Sequence, residues 1–153
     1  MRAILQRVSE ASVTINGEIT RNTGAGLLIL LGVTQSDTEE VAKWLARKCC
    51  ELRIFSDEQD KMNLSLMDVD GEAMIVSNFT LYADCKKGRR PAYVRAARPE
   101  QADGLYLSFV KEVRDLGIKN VQTGEFGADM QVSITNDGPV TIFLDTDEIM
   151  PQK

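Results

Sequence analysis

An uninterrupted apolar run near the amino-terminal end constrains the fold of this chain more than any other feature. Residues 27–31 are all leucine or isoleucine, and Val33 extends the run beyond Gly32. A strand without polar side chains has no face suited to water, so the run predicts a central strand covered on both sides of its sheet. The preceding Gly24-Ala25-Gly26 leads into this strand.

Two other segments repeat apolar residues with the 3.6-residue period of an α-helix. The first spans roughly residues 37–51, where Ser36 followed by Glu39 is typical of a capping box. The second starts near Pro99, which suits a first helical position, and ends at Gly117, a natural stop. The sequence therefore predicts two main helices.

The remaining apolar segments predict strands. Alternation indicates strands at Ala3–Val8 and Ser12–Thr20, the latter folded at Asn16-Gly17, a signal for a type I′ hairpin. Further strands are expected at residues 73–82, 120–123, 128–135 and 140–145, with a polar loop or irregular hairpin at residues 56–72. We therefore expect one α+β domain over residues 1–153, with two helices against a largely antiparallel sheet.

The residue types that are missing narrow the chemistry. The 153 residues include no histidine, which excludes histidine-based triads and most zinc sites. The three cysteines, Cys49, Cys50 and Cys85, have neither the number nor the spacing of a disulfide framework or a metal site. An enzyme with this composition would work by positioning and electrostatics, and we expect neither a metal nor a cofactor.

The distribution of apolar residues bears on location. No stretch approaches the roughly 20 apolar residues of a membrane span, and the amino-terminal residues MRAILQRVSE do not resemble a signal peptide. We therefore expect a reduced, cytoplasmic protein with no membrane partner.

Positive charge is concentrated in one window, residues 86–98 (KKGRRPAYVRAAR). It holds six of the 18 Lys and Arg residues and no acidic residue, within a chain of net charge −5. Such a run is often only solvated surface. The alternative is a surface patch that binds a polyanion, because positive charge is concentrated here in a chain whose net charge is negative. Its phosphate contacts would be Lys86, Lys87, Arg89 and Arg90.

A second candidate site follows the apolar segment AMIV, where the sequence changes to Ser77-Asn78-Phe79-Thr80. This change indicates either the floor of a pocket or a strand that reaches solvent. Strict alternation would place Ser77 and Phe79 on one face and Asn78 and Thr80 on the other. All four line one site only if a bulge or bend breaks the alternation.

A third candidate is Asn136-Asp137-Gly138-Pro139, between two strand-like runs. All four residue types favour a hairpin turn. The alternative is a cis Gly138-Pro139 bond whose neighbouring backbone carbonyls form a rigid binding surface, since proline lowers the cost of a cis bond and glycine permits close approach.

Together these segments resemble the D-aminoacyl-tRNA deacylases of bacteria and eukaryotes, over essentially the whole chain. The resemblance is carried by two signatures, a Ser-Gln-Phe-Thr-Leu-like strand at residues 77–81 and an Asn-x-Gly-Pro-Val-Thr-like segment at residues 136–141. Supporting matches are LQRV at 5–8, ASV at 11–13, GAGLL at 24–28, RIF at 53–55, KMNL at 61–64, RP at 90–91, TG at 123–124 and MQV at 130–132. Asn78 stands where the family usually has glutamine.

The resemblance implies a barrel-like core and hydrolysis of the ester that joins a D-amino acid, or mischarged glycine, to tRNA, as proofreading in translation. It further implies a homodimer with active sites at the subunit interface, where Gly138-Pro139 of one subunit rejects L-amino acids in the other. By the same resemblance Ser77, Phe79 and Thr80 are the catalytic segment around the acylated adenosine. The implied substrate-binding residues are Gly138, Pro139, Asn78, Arg7, Asn136 and Met130.

Two questions stay open at this point. Catalysis uses either water, with backbone N–H groups near Ser77–Thr80 and the 2′-hydroxyl of the substrate, or direct attack by Thr80. The competing functions are a non-catalytic RNA-binding module that uses residues 86–98, and a small amide hydrolase with a threonine nucleophile.

Overall fold

A six-stranded sheet forms the centre of the molecule in the computed structural model, which describes residues 1–151. The strands are β1 (Arg2–Ile15), β2 (Ile19–Thr23), β3 (Gly26–Gly32), β4 (Phe55–Ser56), β5 (Met62–Leu64), β6 (Glu72–Ser77), β7 (Val121–Thr123) and β8 (Met130–Asp145). The helices are α1 (Glu39–Glu51), α2 (Pro99–Asp115) and α3 (Thr146–Ile149), with a 3-10 helix at Phe79–Tyr82.

The strand order is β2-β1-β3-β6-β7. β3 and β2 pair with the first and second halves of β1 along one edge, and β8 pairs with both halves along the opposite edge. The three pairs made by β1 are antiparallel, whereas β3–β6 and β6–β7 are parallel. The sheet curls until β2 approaches β7, where Nη1 of Arg21 donates to the carbonyl of Thr123 at 2.7 Å. The predicted α+β class, the barrel-like sheet and the two main helices are confirmed.

The predicted central strand is β3, which lies between β1 and β6. Leu27, Ile29 and Leu31 pack into the core that α1 and α2 cover, whereas Leu28 packs with Met74 inside the curled sheet. Both faces are buried because helices cover one and the barrel encloses the other. The prediction from the apolar run is therefore confirmed.

The predicted beginning of the first helix is wrong. Thr38, not Ser36, caps α1, with its hydroxyl accepting from the N–H of Val41 at 3.4 Å. The buried Asp37 carboxylate accepts from the N–H of Thr34 and from the α-ammonium of Met1, each at 2.8 Å. These contacts hold the preceding residues in a turn and delay the helix.

The predictions for α2 and for the first hairpin are confirmed. Pro99 is the first residue of α2, and Gly117 follows its last turn with φ +95°. Asn16 and Gly17 have φ of 51° and 70°, as a type I′ turn requires. The segment predicted as a loop or irregular hairpin contains the short antiparallel pair β4–β5.

Two pairs of predicted strands are instead two long strands. Residues 3–8 and 12–15 belong to the continuous β1, and residues 130–135 and 140–145 belong to the continuous β8. The hairpin-turn interpretation of residues 136–139 is therefore wrong. Gln6 pairs with Thr141 and Val8 with Asn136, so residues 137–140 bulge out opposite Arg7. The Gly138-Pro139 bond is cis, as the alternative interpretation predicts.

Among residues 1–151, no helix combines the length and the apolar character needed to cross a membrane.

The parallel pairing of β3 with β6 depends on Gly26, and this generates a prediction. A Cβ atom on Gly26, which has φ +155°, would lie 1.9 Å from the backbone oxygen of Glu72. We expect Gly26→Ala to lower the free energy of unfolding by at least about 2 kcal/mol, because the backbones must separate. Urea unfolding measures this difference.

The matched control is Gly104→Ala in α2, where an added Cβ meets no atom within 4 Å. Because alanine favours a helix over glycine, we expect this variant to gain about 1 kcal/mol. Equal effects at the two positions would contradict the proposed role of close backbone approach at Gly26.

Candidate functional site

The strand that carries the first signature ends earlier than predicted. β6 stops at Ser77, and residues 79–82 form the 3-10 helix instead of continuing the strand. Asn78 causes the bend, because its Oδ1 accepts from the N–H of Thr80 at 3.1 Å and also from the Thr80 hydroxyl. A short amide side chain that bonds the backbone two residues further on favours a turn over a strand.

A cavity of about 520 Å³ opens beside this turn. Ser77 and Asn78 supply polar atoms, and Met130 and Phe126 contribute to the wall. At the mouth, the rings of Phe79 and Tyr93 meet edge to face, with centroids 5.0 Å apart. Phe79 keeps 56% of its surface exposed. A largely apolar cavity with a few polar groups and an open aromatic rim suits part of a small organic ligand.

The described lining of the cavity offers no strong acid or base. Among the described residues, the lining contains no Asp, Glu, Lys, Arg or Cys, and Tyr93 is its one ionisable side chain. Burial raises the pKa of the Cys50 thiol to about 12, and it also raises the pKa of Cys49, so both thiols stay protonated at neutral pH. Within residues 1–151, no group of three or more His, Cys, Asp or Glu side chains is placed to hold a metal ion.

Thr80 lies beside the cavity and does not line it. Its hydroxyl donates to the amide oxygen of Asn78. An amide oxygen is a poor proton acceptor for activating a hydroxyl, so this contact orients Thr80 without making it a nucleophile.

The second signature forms a separate cluster on the bulge of β8. Arg7 donates from Nε to the carbonyl of Asp137 and from Nη1 to the carbonyl of Ile54, each at 2.9 Å. Asn136 donates to the Gln6 side chain at 2.8 Å and accepts from the N–H of Val140 at 2.9 Å. The polar groups of Arg7 and Asn136 thus hold the bulge in place.

Gly138 and Pro139 are exposed at the tip of this bulge. A Cβ atom on Gly138, which has φ +137°, would lie 2.8 Å from a methyl group of Val140 and 2.9 Å from its nitrogen. Glycine is therefore required by space as well as by backbone conformation. The tip presents backbone atoms and the proline ring to the surroundings.

The two clusters lie at opposite ends of β3. Arg7 pairs with Leu27 at its beginning, whereas Ser77 pairs with Leu31 near its end. Four residues of strand separate these positions by about 13 Å. The structure brings Ser77, Asn78, Phe79 and Met130 together, and it does not bring Gly138, Pro139, Arg7 or Asn136 to them within one chain.

The basic window forms an exposed loop next to the cavity. Lys86, Lys87, Arg89 and Arg90 are all exposed, and the bridge between Asp84 and Ala92 closes the loop. The window then reaches the cavity, where Tyr93, Ala96 and Ala97 contribute to the lining. Tyr93 lines the candidate site although the sequence motifs did not predict it, and its one signal is that it is the single aromatic residue in the basic window.

Comparisons with known proteins bear on this arrangement. The chain matches the family described as D-Tyr-tRNA(Tyr) deacylase over residues 4–145. It is 55% identical over 146 residues to the D-aminoacyl-tRNA deacylase of Akkermansia muciniphila, covering 95% of this chain and 97% of that one. It is 52% identical over 146 residues to the D-aminoacyl-tRNA deacylase of Clostridium botulinum, with the same coverage of 95% and 97%.

Solved structures are also similar. The c-Myc DNA Unwinding Element Binding Protein has a TM-score of 0.89 and 43% identity, over 95% of this chain and 98% of that one. A structure described as a probable eukaryotic D-amino acid tRNA deacylase has a TM-score of 0.82 over 94% of this chain and 97% of that one. At 18% sequence identity, this similarity shows a common fold alone.

Proposed function

Because the chain belongs to the D-aminoacyl-tRNA deacylase family, hydrolases that act on the ester bond of aminoacyl-tRNA, we propose that the cavity beside Ser77 holds the aminoacyl-adenosine end of its substrate. The observation that carries this proposal is the position of the cavity, between the turn at residues 78–82 and the exposed basic loop. The aromatic rim of Phe79 and Tyr93 suits a nucleobase, and the loop suits the adjoining phosphates.

The reaction selects one stereoisomer, and a backbone surface is suited to that task. D- and L-aminoacyl esters have the same atoms, charge and hydrophobicity, and differ only in the direction of the side chain from Cα. Polarity of a pocket therefore does not separate them. A rigid surface that occupies the L direction excludes L esters whatever their side chain is. The tip at Gly138-Pro139 is the candidate for this gate, because Arg7 and Asn136 hold it.

The gate acts across a dimer in this proposal. The tip of each chain is remote from the cavity of the same chain, so a second copy must supply it. Two features of β8 support a homodimer: its outer edge has no partner strand within residues 1–151, and it exposes Val132 and Phe143. Unpaired long edges and exposed apolar side chains favour association.

Glycyl-tRNA is a further substrate in this proposal. A gate that works by excluding a side chain has nothing to exclude in glycine, which has none. The same surface that rejects L-tyrosine therefore admits glycine.

Catalysis in this proposal uses backbone donors and water. Phe79 is the first residue of the 3-10 helix, so its N–H has no acceptor within that helix and can face an oxyanion. The N–H of Thr80 is already bonded to Asn78. Since the described residues that line the cavity include no carboxylate or histidine, the 2′-hydroxyl of the substrate adenosine assists the attacking water.

We also propose a cytoplasmic location, which rests on the proposed substrate. Charged tRNA is used by the ribosome in the cytoplasm, and we place the protein there.

The first test is deacylation of D-Tyr-tRNA, L-Tyr-tRNA and Gly-tRNA by purified protein in the presence of EDTA. We expect fast loss of the D ester and of the glycyl ester, with the L ester spared. In a salt titration, log kcat/KM should fall by about 0.7 to 0.9 per phosphate contact for each unit of log salt concentration. Equal hydrolysis of D and L esters would refute the gate, and no hydrolysis of the D ester would refute the assignment of the reaction.

The second test concerns Thr80. We expect Thr80→Val to keep the hydrolysis rate within about tenfold, because the hydroxyl orients the turn and does not attack. A covalent mechanism through Thr80 requires a loss of roughly 10⁴-fold or more. Thr20→Val, which removes an exposed hydroxyl on β2, is the matched control for loss of a surface hydrogen bond. The measurement is the single-turnover rate on D-Tyr-tRNA.

The third test asks whether the gate acts across subunits. Arg7→Ala releases the Asp137 carbonyl, and we expect its homodimer to hydrolyse L-Tyr-tRNA as well as the D ester. Ala128→Trp fills the cavity, so its homodimer should be inactive. In a mixed dimer, the one open cavity faces an intact gate from the Ala128→Trp subunit.

We therefore expect an excess of Ala128→Trp subunit to suppress hydrolysis of the L ester by the Arg7→Ala protein while hydrolysis of the D ester continues. Unchanged hydrolysis of the L ester in a mixture shown to contain mixed dimers would mean that each gate serves its own chain.

A further inference from the structure

The turn that carries the proposed catalytic N–H group is fixed at both ends. At its beginning, the Asn78 side chain bonds to Thr80. At its end, the carbonyl of Leu81 accepts from Nη1 of Arg2 at 2.9 Å. The last carbonyls of a helix accept no hydrogen bond from N–H groups of the helix itself. A donor outside the helix therefore fixes the position of such an end.

Besides the Leu81 carbonyl, two further groups hold Arg2. Its Nε donates to Oδ2 of Asp145 at 2.9 Å, and the two side chains are only 19% and 6% exposed. Its guanidinium lies 4.5 Å from the centroid of the Tyr82 ring, in the last residue of the 3-10 helix. A planar guanidinium has donors on several edges and two stacking faces, so it serves these contacts at once, and a lysine ammonium does not.

Asp145 extends this support into the sheet. It is the last residue of β8, it pairs with Arg2 across the ladder, and its Oδ1 caps α3 by accepting from the N–H of Asp147 at 3.0 Å. Both partners of the ion pair therefore sit on long, paired strands. Sites held by such rigid elements are positioned more accurately than sites held by loops.

We infer that Arg2, oriented by Asp145, is a positioning residue that sets the place of the Phe79–Tyr82 turn and hence of the Phe79 N–H during hydrolysis. The inference rests on the proposed function of that turn. Neither Arg2 nor Asp145 lines the cavity, so they act through the turn and do not touch the substrate. A misplacement of about 1 Å at a reacting centre costs on the order of 100-fold in rate.

The test compares Arg2→Lys with Arg47→Lys. Arg47 makes a similar Arg–carboxylate bond, from Nε to Glu112 at 2.6 Å, but it joins α1 to α2 and has no contact with the turn. Both variants keep the charge and lose the planar donor. For each we would measure the single-turnover rate on D-Tyr-tRNA at saturating enzyme, the Kd for uncharged tRNA and the melting temperature.

We expect Arg2→Lys to lose about 10- to 100-fold in the single-turnover rate, with the Kd for tRNA within about twofold of the wild-type value. Arg47→Lys should keep the wild-type rate, even where its melting temperature falls as much. Asp145→Asn, which keeps the size of the side chain but removes its charge from Arg2, should lose rate in the same way.

A rate for Arg2→Lys and Asp145→Asn equal to that of Arg47→Lys would overturn the inference. So would a loss confined to the Kd for tRNA, since it would assign Arg2 to binding. The wild-type protein distinguishes failure of the inference from failure of the proposed function. If wild-type protein does not hydrolyse D-Tyr-tRNA, the proposed reaction is wrong, and the inference, which rests on that reaction, falls too.

Discussion

The pairing of β1 with β8 is the interaction on which the rest of the structure depends. Residues 2–6 pair with 141–145 and residues 10–15 pair with 130–135, so β8 is held on both sides of the mismatch. Four residues then stand opposite Arg7 alone and must leave the plane of the sheet. A bulge fixed by ladders on both sides has far less freedom than a hairpin tip. The rigidity that a stereochemical gate requires follows from this pairing.

The same strand supports the other candidate element. β1 carries Arg2 to the turn after β6 and Arg7 to the bulge of β8. These two arginines are five residues apart, about 16 Å along a strand. The separation keeps the tip away from the cavity of its own chain, and for this reason the gate in the proposed function acts across two copies of the chain. The geometry of one strand thus sets both the parts of the site and the spacing between them.

Sequence patterns predict those elements whose formation depends on interactions between residues close together in the chain. The apolar run at β3, the period of α1 and α2, and the Asn16-Gly17 turn all appear in the structure. The false hairpin turn and the misplaced cap of α1 arise where a distant contact overrides the local pattern. Residues 136–139 have the composition of a hairpin turn, but β1 pairs with β8 on both sides of residues 137–140 and makes them a bulge. The cap of α1 is Thr38 and not Ser36, because the contact of Asp37 with Met1 holds the preceding residues in a turn. The end of β6 at Ser77 had a local signal in Asn78, whose short amide bonds to Thr80.

The residues of the candidate site also differ in whether the sequence predicts them. The segment at Ser77–Phe79 and the bulge at Gly138-Pro139 are visible as motifs, whereas Tyr93 enters the cavity only through folding of the basic loop. Both proposed elements, the gate and the oxyanion donor, consist of backbone atoms. Side chains such as Asn78, Arg2, Arg7 and Asn136 act on that backbone by hydrogen bonds. A site made in this way has few contacts that depend on the side chain of the substrate. It can therefore discriminate the configuration at Cα without specificity for the amino acid that is attached.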